Sequence, residues 1–216
     1  MIRNLSVRLC IFDVGGVMVD GFDVVPPFAE RLGITPAELR RHLESSGAHM
    51  LQLGHEAPEQ FWSRYVAATG TNVEGEPWRD YFHPTQRPAM YQLVKRLKAS
   101  GLRVVAGTNT LDPHYVAHTD NGDYAVFHEV YASHLMHLAK PDPEFWRFIL
   151  AAEGVSADEA VFIDDMPVNV EAARGLGIHG VLYQGLEQAV WKMETVAALQ
   201  RPGGLEPAAA RRRTPR

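Results

Sequence analysis

Residues 7–20 read VRLCIFDVGGVMVD. Val7–Phe12 is a run of strand length, apolar apart from Arg8 and without alternation, so both of its faces call for burial. That is the pattern of a central strand in a parallel sheet. The run stops at Asp13 and is followed by Val14-Gly15-Gly16. Four further runs of the same kind lie downstream, at Leu102–Ala106, Val126–Ala132, Ala160–Ile163 and Ile178–Tyr183. Helix-length segments separate them, at Pro88–Ser100, Pro143–Glu153, Val168–Gly175 and Leu186–Leu199, and Gly101 supplies a stop for the first of these. Strand and helix alternating at this spacing predict βαβ units with right-handed crossovers. The expected fold is α/β, a Rossmann-like parallel sheet with helices on both faces.

One stretch breaks the alternation. Residues 20–86 contain helical pattern and no convincing buried strand, and Thr35-Pro36-Ala37-Glu38 has the form of a capping box with proline at the first helical position. The stretch is too long for a simple crossover. It predicts a small helical subdomain inserted after the first strand, with the core built from residues 1–19 and 87–200. Residues 201–216 (RPGGLEPAAARRRTPR) lack apolar periodicity and predict a disordered tail.

Composition narrows the function. Hydrophobic residues are 46% and charged residues 22% of the 216, ordinary for a globular protein with a buried core. No apolar run approaches the roughly 18 residues of a membrane span, and the aspartate at position 13 interrupts any signal-peptide core. A single cysteine, Cys10, excludes an internal disulfide and a multi-cysteine zinc site. The net charge of −5 includes the four arginines of RRRTPR, so the body is more acidic still and does not attract nucleic acid. A cytoplasmic protein with no membrane or nucleic-acid partner is expected. A monomer is the default, with association of copies left open.

In an open parallel sheet the ligand crevice lies at the carboxyl ends of the strands. The residues ending the runs are Asp13, then Gly107-Thr108-Asn109-Thr110, then Asp164-Asp165, and a loop after the third run carries Lys140-Pro141-Asp142-Pro143. Three acids brought together call for a hard cation, and Mg²⁺ suits oxygen ligands. With such an ion bound, Asp13 stays ionised and can attack phosphorus. Thr108 and the amides of Gly16 and Asn109 can donate to phosphoryl oxygens, and Lys140 can neutralise their charge. Taken singly, each has a plainer reading: Asp13 as a turn residue, Lys140 as a solvated loop lysine, Asp164-Asp165 as a helix cap.

In that order, FDVGGVMVD, GTNT, AKPDP and FIDDMPVNVEAARGLG resemble the four motifs of the haloacid dehalogenase-like hydrolases across residues 7–185. The helical insert resembles the C1 cap of subfamily I. The GxVxxD continuation of the first motif, Arg87-Pro88…Leu97 and RVVAGTNT are similar to the glucose-1-phosphate phosphatase branch. The resemblance implies a Mg²⁺-dependent phosphatase acting on a small phosphorylated metabolite, a sugar phosphate, through an aspartyl-phosphate. It makes Asp13 the nucleophile and a metal ligand, and Thr108 the phosphate-binding hydroxyl with Asn109 beside it. Lys140 becomes the lysine that steadies nucleophile and phosphate, Asp164 and Asp165 the acidic pair that holds Mg²⁺. Asn169 falls at a position that orients the lysine, with helix capping an equal reading.

Gly15 departs from the pattern. Most family phosphatases carry a general-acid aspartate two residues after the nucleophile, and here only a backbone carbonyl remains, a further ligand for Mg²⁺. Loss of a general acid costs about 10²–10⁴-fold in rate. His55, His114 and His118 are stand-ins to weigh, each with structural or surface packing as the leading reading. Two alternatives follow from Gly15: a dehalogenase-type hydrolase, against which the Asp164-Asp165 pair argues, and a non-catalytic phospho-ligand or partner binder. Candidate substrate contacts in the insert lie in Gly47–Glu56 and around Phe22–Val24, with Met50 better read as packing.

Overall fold

The computed structural model of the protein describes residues 7–198; the tail expected at 201–216 lies outside the described residues. In chain order the elements are β1 (Leu9–Phe12), β2 (Val19–Asp20), α1 (Val25–Leu32), α2 (Pro36–Ser45), α3 (His49–Gln52), α4 (Pro58–Thr69), α5 (Pro77–Asp80), β3 (Thr85–Gln86), α6 (Pro88–Ala99) and β4 (Arg103–Thr108). They continue with α7 (Asp112–Asp120), β5 (Val130–Ala132), α8 (Ser133–Met136), α9 (Pro143–Glu153), β6 (Ala160–Asp164), α10 (Pro167–Gly175), β7 (His179–Leu182) and α11 (Leu186–Ala198). No helix among them is long and apolar enough to cross a membrane.

The main sheet is parallel, in the order β5-β4-β1-β6-β7. The chain leaves β1 towards β4 and β5, then returns to the other side of β1 for β6 and β7. The strand order therefore reverses at β1, where a doubly wound sheet opens its crevice. Both sheet faces are covered, and β1 shows how. Cys10 and Phe12 join a cluster with Met90, Leu93 and Val94 of α6 and Met193 of α11. Leu9 and Ile11 join Phe145, Trp146 and Ile149 of α9 on the opposite face. A strand buried on two sides has no polar face to show, which is why its sequence does not alternate.

Helices α1–α5 fill the space between β2 and β3, two-residue strands that pair antiparallel as a ribbon at the stem of the excursion. They carry a core of their own, Phe28, Leu39, Phe61, Trp62, Tyr65, Trp78 and Phe82, against which Leu111 also packs.

Two details depart from expectation. The third strand is Val130–Ala132 alone; Val126 and Phe127 are buried, but in a turn-rich loop that packs into the core. Helix α7 was not expected. Its fully buried residue is the polar His118, so it presents no apolar row for periodicity to detect, although Asp112-Pro113 is a sound start signal.

Candidate active site

Asp13 follows β1 directly, and its amide donates to the carbonyl of Ile163 on β6 at 2.9 Å. Thr108 closes β4 and Asp164 closes β6, both buried within the sheet. The three strand ends are neighbours, so hydrogen bonding of the sheet alone sets their side chains side by side. One carboxylate oxygen from each of Asp13, Asp164 and Asp165 lies within 4.8 Å of the others.

Lys140 arrives from the loop between α8 and α9. The side chain of Asn109 grips its backbone at two points: Nδ2 donates to the Lys140 carbonyl and Oδ1 accepts from the Lys140 amide, each at 2.8 Å. So fixed, the buried ammonium donates to Asp13 Oδ1 and Asp164 Oδ2, both at 2.7 Å. It also lies 5.4 Å from the centre of the Phe162 ring. Asp164 is further held by the Met166 amide at 2.8 Å and by Asn169 Nδ2 at 3.1 Å from each oxygen. Asn169 thus holds the acid, where the resemblance implied orientation of the lysine and helix capping was an equal reading.

The electrostatics follow from burial. Removal from water pushes the Asp13 carboxyl up to about 7, against the pull of Lys140 and with the help of Asp164. Burial likewise raises Asp165, with Asp164 adding to it. For Lys140 burial acts downwards, but the two carboxylates outweigh it and hold the ammonium above its usual range. Three acids share one lysine, which leaves room for more positive charge.

The donor set fits a small hard cation. Mg–O bonds of about 2.1 Å keep two ligands of one ion within about 4.2 Å, and a modest carboxylate rotation brings the 4.8 Å cluster inside that limit. Gly16 is part of the fit. It sits at φ 75°, and a Cβ there would lie 2.2 Å from Asp165 Oδ2, so only glycine lets this acid approach the loop.

Arg87 is the residue that motif reading undervalued. Its guanidinium donates to the carbonyls of Gly16 and Val17, binds both oxygens of Asp20 at 2.9 and 2.5 Å, and lies 5.2 Å from the Tyr183 ring centre. Its own amide donates to Met18. It pins the whole turn after Asp13 from the far end of the excursion. In the sequence it stands just before a proline-initiated helix, in the Arg87-Pro88…Leu97 segment that carries part of the family resemblance, and nothing there points to the turn it holds.

Other candidates lie elsewhere. The space beside Gly15 belongs to the Phe22 ring, whose atoms would be 3.1 Å from a Cβ at that position. His114 is stacked on Phe82 with centroids 3.9 Å apart, and His118 is buried and hydrogen-bonded to Asp123 at 2.7 Å. His55 stacks on His137 at 5.2 Å. Val24 is buried in the core of the inserted helices, His49 and Gln52 are exposed, and Met50 lines a cavity with Ser46 and Arg64.

Comparison with known proteins agrees with this geometry. Mouse acyl-CoA dehydrogenase family member 10 is 29% identical over 221 residues, covering 88% of this chain; the chain spans only 19% of that protein's length. Sesquiterpene phosphatase astK of Aspergillus oryzae is 27% identical over 180 residues, 81% of this chain and 88% of that protein. A haloacid dehalogenase family enzyme of Bacteroides thetaiotaomicron, solved with magnesium and inorganic phosphate, superposes with a TM-score of 0.68 at 22% identity, covering 82% of this chain and 94% of its own. A model of the haloacid dehalogenase-like hydrolases matches residues 7–177. With that match spanning most of the sequence, the chain belongs to the haloacid dehalogenase-like hydrolase family.

Proposed function

We propose that the protein is a Mg²⁺-dependent phosphatase that hydrolyses a small phosphorylated metabolite, a sugar phosphate, through an aspartyl-phosphate at Asp13. Residues 1–19 and 87–200 form the hydrolase core in this reading, and residues 20–86 a C1-type cap of subfamily I, in the manner of the glucose-1-phosphate phosphatase branch. The observation that carries the reading is Asp13 itself: buried, held by Lys140 at 2.7 Å, and grouped with two further carboxylates. A phosphatase-named relative and a structural neighbour solved with magnesium and phosphate support it.

Asp13, Asp164, Asp165 and the Gly15 carbonyl would hold the ion. When bound, Mg²⁺ supplies charge neutralisation for the phosphate and keeps the acids ionised. The free oxygen of Asp13 attacks phosphorus, a phosphorus–oxygen bond forms, and the ester bond to the leaving oxygen breaks. Water then hydrolyses the acyl phosphate and returns the carboxylate. Thr108, the Asn109 amide and Lys140 donate to the phosphoryl oxygens as charge builds on them; the Gly16 amide, expected to join them, donates instead to the Val19 carbonyl at 3.0 Å. Lys140 is already aimed, because Asn109 fixes its backbone, so little reorganisation is needed.

Turnover of p-nitrophenyl phosphate by the full chain tests the reading. Activity is expected with Mg²⁺, and is expected to vanish with EDTA. Asp13→Asn should lower kcat on the order of 10⁴-fold or more. Metal-independent halide release from 2-haloacids, or phosphate release undiminished in Asp13→Asn, would overturn it.

A further inference from the structure

In the turn after Asp13, backbone carbonyls on both sides of Gly15 have donors. The Val14 carbonyl accepts from the amides of Met18 at 2.8 Å and Val19 at 3.1 Å. The carbonyls of Gly16 and Val17 accept from the Arg87 guanidinium, and that of Met18 accepts from the Arg87 amide at 2.8 Å. Among the described residues, nothing donates to the carbonyl of Gly15. A half-buried acceptor kept open in an otherwise bonded turn is available to a cation, and this turn leads directly from Asp13 and the carboxylate cluster.

Arg87 reaches the turn from the stem of the insert. It follows β3, whose pairing with β2 sets Gln86 opposite Val19 and Thr85 opposite Asp20. Its fork binds both oxygens of Asp20, at 2.9 and 2.5 Å. One side chain therefore ties the outgoing strand to the returning one and holds the turn as well. The stem is tight: a Cβ on Gly21, at φ 68°, would lie 2.8 Å from the His83 carbonyl oxygen. On its other side Arg87 lies against Tyr183, whose amide donates to the Asp164 carbonyl at 2.9 Å. Gly16 itself is fixed at both ends, its amide donating to the Val19 carbonyl and its carbonyl held by Arg87, and it is where Asp165 meets the loop. A shift of the stem is thus passed to the peptides that carry the Gly15 carbonyl and face Asp165.

Charge is not what Arg87 contributes. Asp20 neutralises the guanidinium, and a free cation beside the acids would repel a metal ion. Its contribution is geometric. A planar fork meets two carbonyls and a carboxylate together, which the ammonium of a lysine cannot reproduce.

We propose that Arg87 couples the stem of the insert to the metal site: the clasped stem keeps the Gly15 carbonyl open and aimed, and metal binding in turn tightens the stem. The inference rests on the Mg²⁺ reading above. Arg87 is then a positioning residue that acts on the ion through the turn, and the coupling runs equally in both directions by linkage.

Calorimetric titration of the full chain with Mg²⁺, without substrate, tests the first direction. Residues that orient metal ligands change affinity by about 10–100-fold. Arg87→Lys keeps the charge and loses the fork, and should weaken Mg²⁺ binding at least about tenfold. Arg87→Gln removes the charge too and should weaken it by a similar factor. Arg103 makes a fork of the same kind with Glu153, at 2.7 and 3.0 Å, at the start of β4 and so at the opposite edge of the sheet. Arg103→Lys should leave Mg²⁺ affinity unchanged. Hydrogen exchange tests the other direction: Mg²⁺ should slow the amides of residues 18, 19 and 87 at least about threefold in the wild type, and not in Arg87→Lys. Affinity unmoved in Arg87→Lys, or tightened in Arg87→Gln, overturns the assignment, as does a stem whose exchange ignores Mg²⁺. A wild-type chain that binds no Mg²⁺ fails the metal reading first and this inference with it. A wild type that binds Mg²⁺ beside variants that bind it equally well fails this inference alone.

Discussion

The two ends of this molecule treat polar atoms in opposite ways. At the carboxyl edge of the sheet, the buried charges are bonded to one another: Lys140 to Asp13 and Asp164, Asn109 to the Lys140 backbone, Asn169 and the Met166 amide to Asp164. The inserted helices and their junction with the sheet instead hold buried polar atoms without partners, among them Ser46 Oγ, Trp78 Nε1 and His114 Nε2. What binds that region is aromatic packing, with Phe28, Phe61, Trp62 and Trp78 in mutual ring contact. One region is pinned by directional bonds that fix a reacting geometry. The other is held by apolar area, which tolerates rearrangement at similar volume.

The sharpest way to break the comparison is Lys140→Met. It removes the cation between two buried carboxylates, and breaking a buried pair costs about 3–5 kcal/mol. Urea unfolding should report that loss at neutral pH, and kcat on p-nitrophenyl phosphate should fall about 10²–10³-fold. A stability loss below about 1 kcal/mol would mean that the network is a solvated surface arrangement.

Gly15 comes next. Without a proton donor at this position, rates should fall steeply as the leaving-group pKa rises, and aryl phosphates should outpace primary alkyl phosphates by about 10²-fold. Gly15→Asp alone should not rescue the alkyl esters, because its Cβ meets the Phe22 ring at 3.1 Å. Gly15→Asp with Phe22→Ala makes the space and should recover most of that factor. A flat dependence on leaving-group pKa in the wild type would place proton donation in the inserted helices, and the division between the two regions would lose its meaning.

How much of this the sequence discloses follows the same division. Strands buried on two faces announce themselves as unbroken apolar runs, and their ends name Asp13, Thr108 and Asp164 without further help. The register that joins those ends comes from backbone pairing, so convergence was legible once the fold class was. Helix α7 was not legible, because His118 and not an apolar row faces inward. The β2–β3 ribbon was too short to carry a period, and Val126 and Phe127 look like strand while serving a buried loop. The clasps by Asn109 and Arg87 are contacts of a side chain with distant backbone, over 31 residues and about 70, and no local pattern encodes them.

At the junction, the His114 side chain gives a pH test. Burial against Phe82 and Trp78 pushes its pKa down to about 3 from an ordinary 6.5. Above pH 6.5 both folded and unfolded chains are neutral at this site. Below it the unfolded chain takes a proton that the folded chain refuses, so stability falls as pH drops, by about 1.4 kcal/mol per unit and about 2 kcal/mol by pH 5. His114→Phe should flatten that slope in unfolding titrations between pH 7 and 5. An unchanged slope would assign the acid sensitivity to groups other than His114 and other than Asp13 and Asp165, whose raised pKa values add stability as the pH falls.

The smallest expected effect tests whether the inserted helices melt apart from the sheet. Helix α2 starts with a complete capping box: Thr35 Oγ1 accepts from the Glu38 amide at 3.2 Å, and Glu38 Oε2 accepts from the Thr35 amide at 2.9 Å. Pro36 stands at the first helical position, and Leu39 and Leu43 bury the inward face. Thr35→Ala removes the Oγ1 acceptor for the Glu38 amide and the hydroxyl's own bond to Glu38, leaves the backbone arm of the box, and should cost about 1 kcal/mol. The helix touches no residue of the proposed catalytic set, so the loss should appear as faster amide exchange across α1–α4. Amides of β1 and β6 should keep their protection, and turnover of p-nitrophenyl phosphate should change less than about twofold. If exchange instead rises equally in both regions, the aromatic core of the insert and the charged edge of the sheet unfold as one unit. The contrast in how they are bonded would then be one of chemistry alone and not of independent stability.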